Sequence, residues 1–322
     1  MSVKVNFRGR LIELVSFLVV FCVFPLSDAF AEDGRFRFLA VGDLPYSPAQ
    51  EKLFRKLLKQ SESEDFEFLM HVGDIKAGNA PCTDASFENV QKMFRTYPKP
   101  IVYTPGDNEW TDCRGEGVDP VERLGKIRKL FFEDKKTLRL DALKPVHQSR
   151  DKKFGNYIEN YQFLKSRVLF IVTHIVGSNN NRNPKNATAM KEFNDRNAAN
   201  LAFLRDTFRA GIAEDVAAVA VVIHANPSFE VENPAVEKPA YELFLGAMRE
   251  FLGKYQKPVV CIHGDTHTYR VDQPLKDAAG QPYKNFRRME VFGSPAVAGV
   301  TVTVNPDRPN VFGFEPYYLK KE

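Results

Sequence analysis

The sequence predicts an α/β fold in which two β-sheets pack as a sandwich and helices cover the outer faces. Three observations lead to this prediction: a βαβαβ start, an antiparallel hairpin near the middle, and a second alternation of strands and helices behind the hairpin. With 322 residues, of which 43% are hydrophobic, the chain is long enough to bury such a core.

The βαβαβ start consists of short apolar runs separated by runs with helical spacing. Strands are predicted at 36–41, 66–72 and 101–104, and helices at 49–60 and 86–97. This order favours a mainly parallel sheet with right-handed crossovers.

The rest of the chain supplies the second sheet and more helices. A helix is predicted at 120–132, and a hairpin at 157–164 and 167–173 turns near Lys165 and Ser166. The elements predicted after it are a long helix at 190–209, a strand at 217–223, a helix at 239–255, a strand at 259–263 and several short β-like runs.

The N-terminal segment has the pattern of a secretory signal. Basic residues precede an apolar run at 14–26, which is shorter than the ~20 residues that cross a bilayer, and small Ala29 and Ala31 follow it. We predict a signal peptide at 1–31 and a single domain at 32–322, with an uncleaved membrane anchor as the alternative. The mature protein is therefore expected to be periplasmic or extracellular, without a stable membrane anchor.

The charge distribution argues against a nucleic-acid partner. The net charge is only +4, and acidic and basic residues are mixed along the chain without a clustered basic stripe. We expect a small phosphorylated substrate instead, and the sequence leaves the oligomeric state open.

The cysteines fit an oxidising compartment, in which disulfides are stable. Cys82 and Cys113 each lie a few residues beyond a Gly-Asp pair, and we predict a bridge between them. The alternative is that these two residues are unrelated reduced cysteines. Cys261 lies inside an apolar run and is predicted to be a buried free thiol.

Three predicted strands end in the same dipeptide: Gly42-Asp43, Gly73-Asp74 and Gly106-Asp107. Ligands of open α/β sheets bind outside the carboxyl ends of the strands, so these aspartates should converge on one crevice. Carboxylates that close repel one another unless a cation lies among them. The alternative is that each aspartate caps the helix that follows it.

Two later strands end in imidazoles. His224 follows one of them, and the other runs into His263-Gly264-Asp265-Thr266-His267. A single histidine at a strand end is often structural. The order Asp, Asp, Asp, His, Asp-x-His on successive strand ends instead indicates a metal centre.

In this order of blocks the chain resembles the calcineurin-like metallophosphoesterases, which are related to the purple acid phosphatases. The family pattern is D-x-H, G-D-x-x, G-N-H-[ED], a strand-end H, and G-H-x-H. This sequence has Asp43-Leu44-Pro45, Gly73-Asp74-Ile75-Lys76, Gly106-Asp107-Asn108-Glu109, His224 and Gly264-Asp265-Thr266-His267. The ligand set is therefore divergent, with Pro45, Asn108 and Asp265 at family histidine positions and Asp107 at the family asparagine position.

The resemblance implies two divalent metal ions. Asp74 would bridge them, with Asp43 and His267 on one ion; the ligands of the other would be Asp107, His224 and Asp265. Tyr46 could fill the place that Pro45 leaves, or it could stack within its proline-rich turn. Oxygen ligands suit Mn, Mg, Ca or ferric iron, whereas the general order of affinity favours Zn.

Other polar residues near these blocks are candidates for catalysis and substrate binding. Asn108 can hydrogen-bond a phosphoryl oxygen but cannot supply a proton, and His174 follows a strand end. Lys76 and Asn179 are candidate substrate-binding residues, although Lys76 could also be a solvated loop lysine. His71 could support a ligand loop or be a satisfied core histidine.

The function that the resemblance implies is hydrolysis of a phosphate mono- or diester by attack of a metal-bridging hydroxide. One alternative is a catalytically lapsed protein of this fold that binds metal or phosphate, for which Pro45 and Asn108 are the evidence. A second is a nuclease on the same scaffold, which would need a basic groove lined with aromatic residues.

Overall fold

The computed structural model describes residues 34–320, which form two β-sheets with helices outside them, as the sequence predicts. The predicted signal peptide at 1–31 lies outside the described residues. Between residues 34 and 320 we find no helix with both the length and the apolar character needed to cross a bilayer.

The first sheet has five strands and contains the βαβαβ start. Its strands are β1 (Phe36–Val41), β2 (Phe66–His71), β3 (Ile101–Tyr103), β11 (Gly299–Val304) and β12 (Phe312–Tyr317). They lie in the order β12-β11-β1-β2-β3. β1, β2 and β3 are parallel, whereas β11 and β12 add antiparallel strands at the β1 edge.

The second sheet has seven strands. They are β4 (Val146–His147), β5 (Tyr161–Lys165), β6 (Val168–Val172), β7 (Ala218–Val222), β8 (Val259–His263), β9 (Arg270–Asp272) and β10 (Phe286–Glu290). Their order is β4-β5-β6-β7-β8-β10-β9. β6, β7, β8 and β10 are parallel, and β5 and β6 form the predicted hairpin.

Residues 34–320 contain the five predicted helices and three four-residue α-helices that were not predicted. They are α1 (Pro48–Glu62), α2 (Asp84–Thr96), α3 (Pro120–Ile127), α4 (Lys135–Leu138), α5 (Gly177–Asn180), α6 (Ala187–Ala213), α7 (Pro234–Glu237) and α8 (Glu242–Lys254). The helix predicted at 120–132 changes after Ile127 into a π-helical turn, and α6 begins earlier than predicted because Asn186 caps it by accepting from Ala189 N.

Aromatic side chains fill the space between the two sheets. Phe38 of β1 stacks on Phe68 of β2 at 4.6 Å between ring centroids, and Phe163 stacks on Phe170 across the hairpin at 4.7 Å. Phe68 and Phe170 meet edge to face at 5.7 Å, which joins the two pairs across the sandwich. Alternate residues of β6 face the other way and pack with apolar residues of α6 and α8, so this strand is buried on both faces.

Backbone hydrogen bonds bring the strand ends of the two sheets together. Asp43 N, after β1, donates to Gly73 O, after β2. Ser294 N, in the segment after β10 of the other sheet, donates to Asp43 O at 3.1 Å. The carboxyl ends of parallel strands from both sheets therefore meet in one place, and every predicted ligand follows such an end.

A disulfide joins Cys82 to Cys113, as predicted. It connects the loop after β2 with the loop after β3, the two loops that begin with Asp74 and Asp107. Cys261 is free and buried in β8, which also matches the prediction.

We predict that the bridge contributes substantially to stability, because it closes a loop with a sequence separation of 31. Replacing both Cys82 and Cys113 by alanine should lower the free energy of unfolding by about 3–4 kcal/mol in the loop-closure model. Urea denaturation with and without reductant measures this. Reduction should bring the wild type close to the double variant and leave the variant unchanged; a wild type that does not respond to reductant would contradict the prediction.

Candidate metal centre

Glycines in the ligand loops allow the aspartates to approach the neighbouring backbone closely. A Cβ on Gly106 would lie 2.1 Å from Asp74 Oδ1, and a Cβ on Gly264 would lie 2.3 Å from Asp43 Oδ2. Asp43 and Asp74 themselves have positive φ angles of 54° and 57°. The Gly-Asp pairs in the sequence thus reflect tight turns in which the carboxylate of one loop lies against a glycine of a neighbouring loop in space.

Asp43, Asp74 and His267 form what we term the first ligand group. Their candidate ligand atoms all lie within 4.8 Å of one another. His267 Nδ1 lies 2.7 Å from Ser294 O, and because a carbonyl only accepts, the Nδ1–H is the donor. The other ring nitrogen, Nε2, lies 3.6 Å from Asp43 Oδ1.

Asp74, Asp107 and His224 form the second ligand group, whose atoms also lie within 4.8 Å of one another. His224 Nδ1 donates to Val72 O at 2.7 Å. Its Nε2 lies 2.8 Å from Asp107 Oδ1 and 3.4 Å from Asp74 Oδ1. Asp265 lies beside this group, with Oδ1 at 3.8 Å from the same nitrogen. Asp74 is common to both groups.

The contact between His224 and Asp107 requires a positive charge. Both Nε2 of His224 and Oδ1 of Asp107 are buried and have no conventional hydrogen-bond partner. In the neutral ring that donates Nδ1–H to Val72, Nε2 carries a lone pair that faces a carboxylate oxygen. A proton shared by the two atoms, or a metal ion bound by both of them, removes this repulsion, so the donor set fits a cation.

The pKa shifts of these buried groups also favour a positive charge at this position. Burial raises the pKa of Asp43 to about 8 and raises the pKa of Asp74 well above its ordinary value. Burial also opposes the charge of Asp107, but pairing with His224 outweighs it and lowers that pKa. Burial would lower the pKa of His224, yet the charges of Asp74 and Asp107 raise it well above the usual value. Clustered acid groups thus draw a positive charge to this position.

Tyr46 lies among the ligands of the first group. Its hydroxyl donates to Asp74 Oδ2 at 2.8 Å and lies 3.3 Å from His267 Nε2. Its ring also meets the His267 ring edge to face, with centroids 5.3 Å apart. The phenol therefore faces the centre rather than stacking only within its proline-rich turn.

Asn108 and Lys76 border the same centre. Asn108 N donates to Asp74 Oδ1 at 3.0 Å, and its side-chain amide donates to the Tyr46 hydroxyl at 2.9 Å. Lys76 is 5% exposed and donates to Ala77 O, so it is not the solvated loop lysine of the alternative interpretation. Burial lowers the pKa of Lys76.

The structure does not bring His174 or Asn179 to the centre. His174 has no exposed surface; its Nδ1 lies 2.9 Å from Glu159 Oε1, its ring contacts Trp110, and burial lowers its pKa to about 4. Asn179 follows the same strand but is exposed, and its amide donates to Arg182 O. Neither side chain hydrogen-bonds one of the clustered aspartates; His174 pairs with Glu159, and Asn179 pairs within its own loop.

His71 is a satisfied core histidine. Its Nε2 pairs with Leu44 O at 3.1 Å, and its Nδ1 accepts from Gly73 N at 3.2 Å. Burial lowers its pKa to about 4, so the ring is neutral at ordinary pH. It connects the loops that carry Asp43 and Asp74 without entering the centre.

Sequence reasoning missed two residues that shape the centre. Ser178 Oγ donates to Asp107 Oδ2 at 2.8 Å. Glu109 is fully buried and accepts from Tyr103 OH at 2.8 Å and Gly106 N at 2.6 Å, which holds the Asp107 loop. Ser178 directly precedes Asn179, which the sequence analysis proposed as a substrate-binding residue.

Comparison with known proteins agrees with this geometry. Residues 36–269 match the family model of the calcineurin-like phosphoesterases. The chain belongs to this family. No curated protein matches it in sequence.

Several solved structures are similar in fold. A dimetal phosphatase from Danio rerio is 12% identical, with a TM-score of 0.54, and the match covers 88% of this chain and 99% of that one. The purple acid phosphatase PPD1 from yellow lupin seeds is 12% identical, with a TM-score of 0.48, over 88% of this chain and 53% of its own. The protein TT1561 of Thermus thermophilus is 8% identical, with a TM-score of 0.48, over 88% and 99%.

We predict that the glycine before Asp107 is sterically required. Gly106→Ala would place a methyl group 2.1 Å from Asp74 Oδ1 and should lower the free energy of unfolding by about 1–3 kcal/mol, as overpacking does. Gly246→Ala is the control, because Gly246 lies within α8 with nothing within 4 Å of the added Cβ. It should stabilise the protein by about 0.5–1 kcal/mol. Equal effects of the two substitutions in urea denaturation would contradict the account.

Proposed function

We propose that this chain is an exported, metal-dependent phosphoesterase that hydrolyses phosphate mono- or diesters. Family membership supports a phosphoesterase-type function. The observation that carries the finer proposal is the pair of ligand groups, each within 4.8 Å, that share Asp74.

The residues present would hold two divalent ions. Asp43 and His267, with Tyr46 beside them, would bind one ion; Asp107, His224 and Asp265 would bind the other, and Asp74 would contact both. Four carboxylates supply four negative charges when ionised, which two divalent ions balance. The oxygen-rich set suits Mn, Mg, Ca or ferric iron, and Zn competes by affinity. When bound, such ions polarise a phosphoryl oxygen and lower the pKa of water for attack on phosphorus.

The protein's own groups position the reaction. His224 and His267 are each fixed by an Nδ1–H donated to a backbone carbonyl, so each presents Nε2 to the carboxylates. Asn108, held by its contacts with Asp74 and Tyr46, would donate its amide to a phosphoryl oxygen of the substrate. Lys76, buried near acidic residues, would supply positive charge toward the substrate phosphate.

The location proposal rests on the N-terminal pattern and the cysteines. A signal-like segment precedes the described residues, and the Cys82–Cys113 disulfide is typical of oxidising compartments. We therefore infer a periplasmic or extracellular enzyme acting on small phosphorylated molecules.

The deciding experiment couples metal analysis of purified mature protein with a panel of phosphate esters. We expect two ions per chain and turnover of an aryl phosphate that chelation abolishes and Mn²⁺ restores. An empty or singly occupied centre without turnover would favour the lapsed binding protein instead, and degradation of plasmid DNA would favour the nuclease.

We predict an asymmetry between two aspartates. Asp74→Ala removes the shared ligand and should lower occupancy of both sites, whereas Asp43→Ala should empty mainly one. Metal content by mass spectrometry after gel filtration measures the difference. If Asp74→Ala keeps both ions and normal activity, Asp74 does not have the shared role.

We also predict a preference for good leaving groups. Asn108 stands where the family has a histidine, and an amide cannot protonate a departing alkoxide, a role worth ~10²–10⁴-fold in rate. Aryl phosphates, phosphoanhydrides and activated diesters should therefore be hydrolysed faster than alkyl monoesters. Asn108→His should raise kcat/KM on alkyl esters more than on aryl esters, and Asn108→Gln, which keeps the amide, should not.

The leaving-group preference can be contradicted by measurements on the wild-type enzyme alone. If it hydrolyses alkyl and aryl esters at similar rates while chemistry limits turnover, another group supplies the proton. His174 and His71, both buried away from the centre, would not be that group in this conformation.

A further inference from the structure

The segment after β6 has an unusual backbone. Ser178, Asn179, Asn180 and Asn181 have consecutive positive φ angles of 44°, 57°, 52° and 62°. Asparagine tolerates the left-handed region better than most residues, and glycine adopts it freely. The left-handed backbone conformation is therefore unfavourable for Ser178, the serine at the start of the segment.

Contacts with α6 and a neighbouring loop hold this segment, 178–181, in place. Arg196, which has no exposed surface, donates to both the backbone and side-chain oxygens of Asn180. Asn181 donates to Glu192 and accepts from Arg114. Buried ionic and amide contacts thus maintain a conformation that the sequence alone would not favour.

The segment presents one hydroxyl to the second ligand group. Ser178 Oγ lies 2.8 Å from Asp107 Oδ2 and 2.6 Å from Asp112 Oδ1, so its one proton is shared between the two carboxylates. The other oxygen, Asp107 Oδ1, is the one 2.8 Å from His224 Nε2. On this side, a Cβ on Gly177 would lie 2.5 Å from Asp107 Oδ1, so the backbone also limits the position of the carboxylate.

We propose that Ser178 is a positioning residue for the cation bound by Asp107, His224 and Asp74. By occupying Oδ2 of Asp107, its hydroxyl orients the carboxylate so that Oδ1 faces the shared centre. Outer hydrogen-bond partners of this kind orient metal ligands, and their loss typically lowers metal affinity ~10–100-fold. The inference rests on the proposed function, because it requires that the second ligand group bind a metal ion.

The test is calorimetric titration of the metal-free mature protein with Mn²⁺ alone. Ser178→Ala removes the hydroxyl and retains the side-chain β-carbon, whereas Ser178→Gly removes the hydroxyl and relieves the backbone. Both should weaken one binding step ~10–100-fold and leave the other unchanged. The weakened step should be the one that remains in Asp43→Ala. Thermal unfolding and circular dichroism of the metal-free variants check that they are folded.

Lys144→Gly is the matched control. Lys144 is an exposed residue with a φ of 52° that lies outside the ligand loops, so the change relieves a similar backbone without touching the centre. Both of its binding steps should equal those of the wild type.

Three results would overturn the inference. If Ser178→Ala and Ser178→Gly bind both ions as the wild type does, the hydroxyl does not position Asp107. If only Ser178→Gly weakens binding, the backbone conformation matters and the hydroxyl does not. If the wild type binds no Mn²⁺, the proposed metal centre itself fails, and the role of Ser178 with it.

Discussion

The structure depends on the burial of carboxylates at the junction of two sheets. Asp43, Asp74 and Asp107 are each at most 6% exposed, and Asp265 lies beside them. Desolvated charges of one sign are among the most unfavourable arrangements in a folded protein unless opposite charge balances them. The imidazole of His224 contacts these carboxylates, and their charges raise its pKa well above the usual value. Metal ions at the same positions would balance the remaining charge.

The scaffold is arranged to keep these carboxylates where they are. The disulfide connects the loops that carry Asp74 and Asp107, Glu109 holds the second of these loops, and Asp265 N donates to Asp43 Oδ1 across the two sheets. Parallel strands place the loops at one edge, and glycines allow them to approach one another. Repulsion among the carboxylates is therefore resisted by the disulfide and by hydrogen bonds in and around the centre.

The sequence predicted the fold and the clustering of these side chains because both follow from repeated local patterns. Strands β1 and β8 were predicted to their final bounds, and the Gly-Asp dipeptides marked turns that the structure confirms. Tertiary contacts were not predictable in this way. Nothing local distinguishes His174, buried against Glu159, from His224, which faces the aspartates.

The conformation of the segment 178–181 shows a similar limit. Three consecutive asparagines indicate a loop, but they do not reveal a left-handed turn that brings Ser178 to Asp107. Arg196 and Glu192 of α6 hold this turn through hydrogen bonds to Asn180 and Asn181. Their spacing in the sequence gives no sign of this role.

We propose that one shared aspartate, Asp74, organises two cations at the meeting point of the sheets. The most direct measurement is a crystal structure of the mature protein grown with Mn²⁺, with anomalous scattering recorded near the manganese edge. We expect two anomalous peaks, one in contact with Asp43 and His267, the other with Asp107 and His224, and both with Asp74. A single peak, or two peaks with no common ligand, would contradict it.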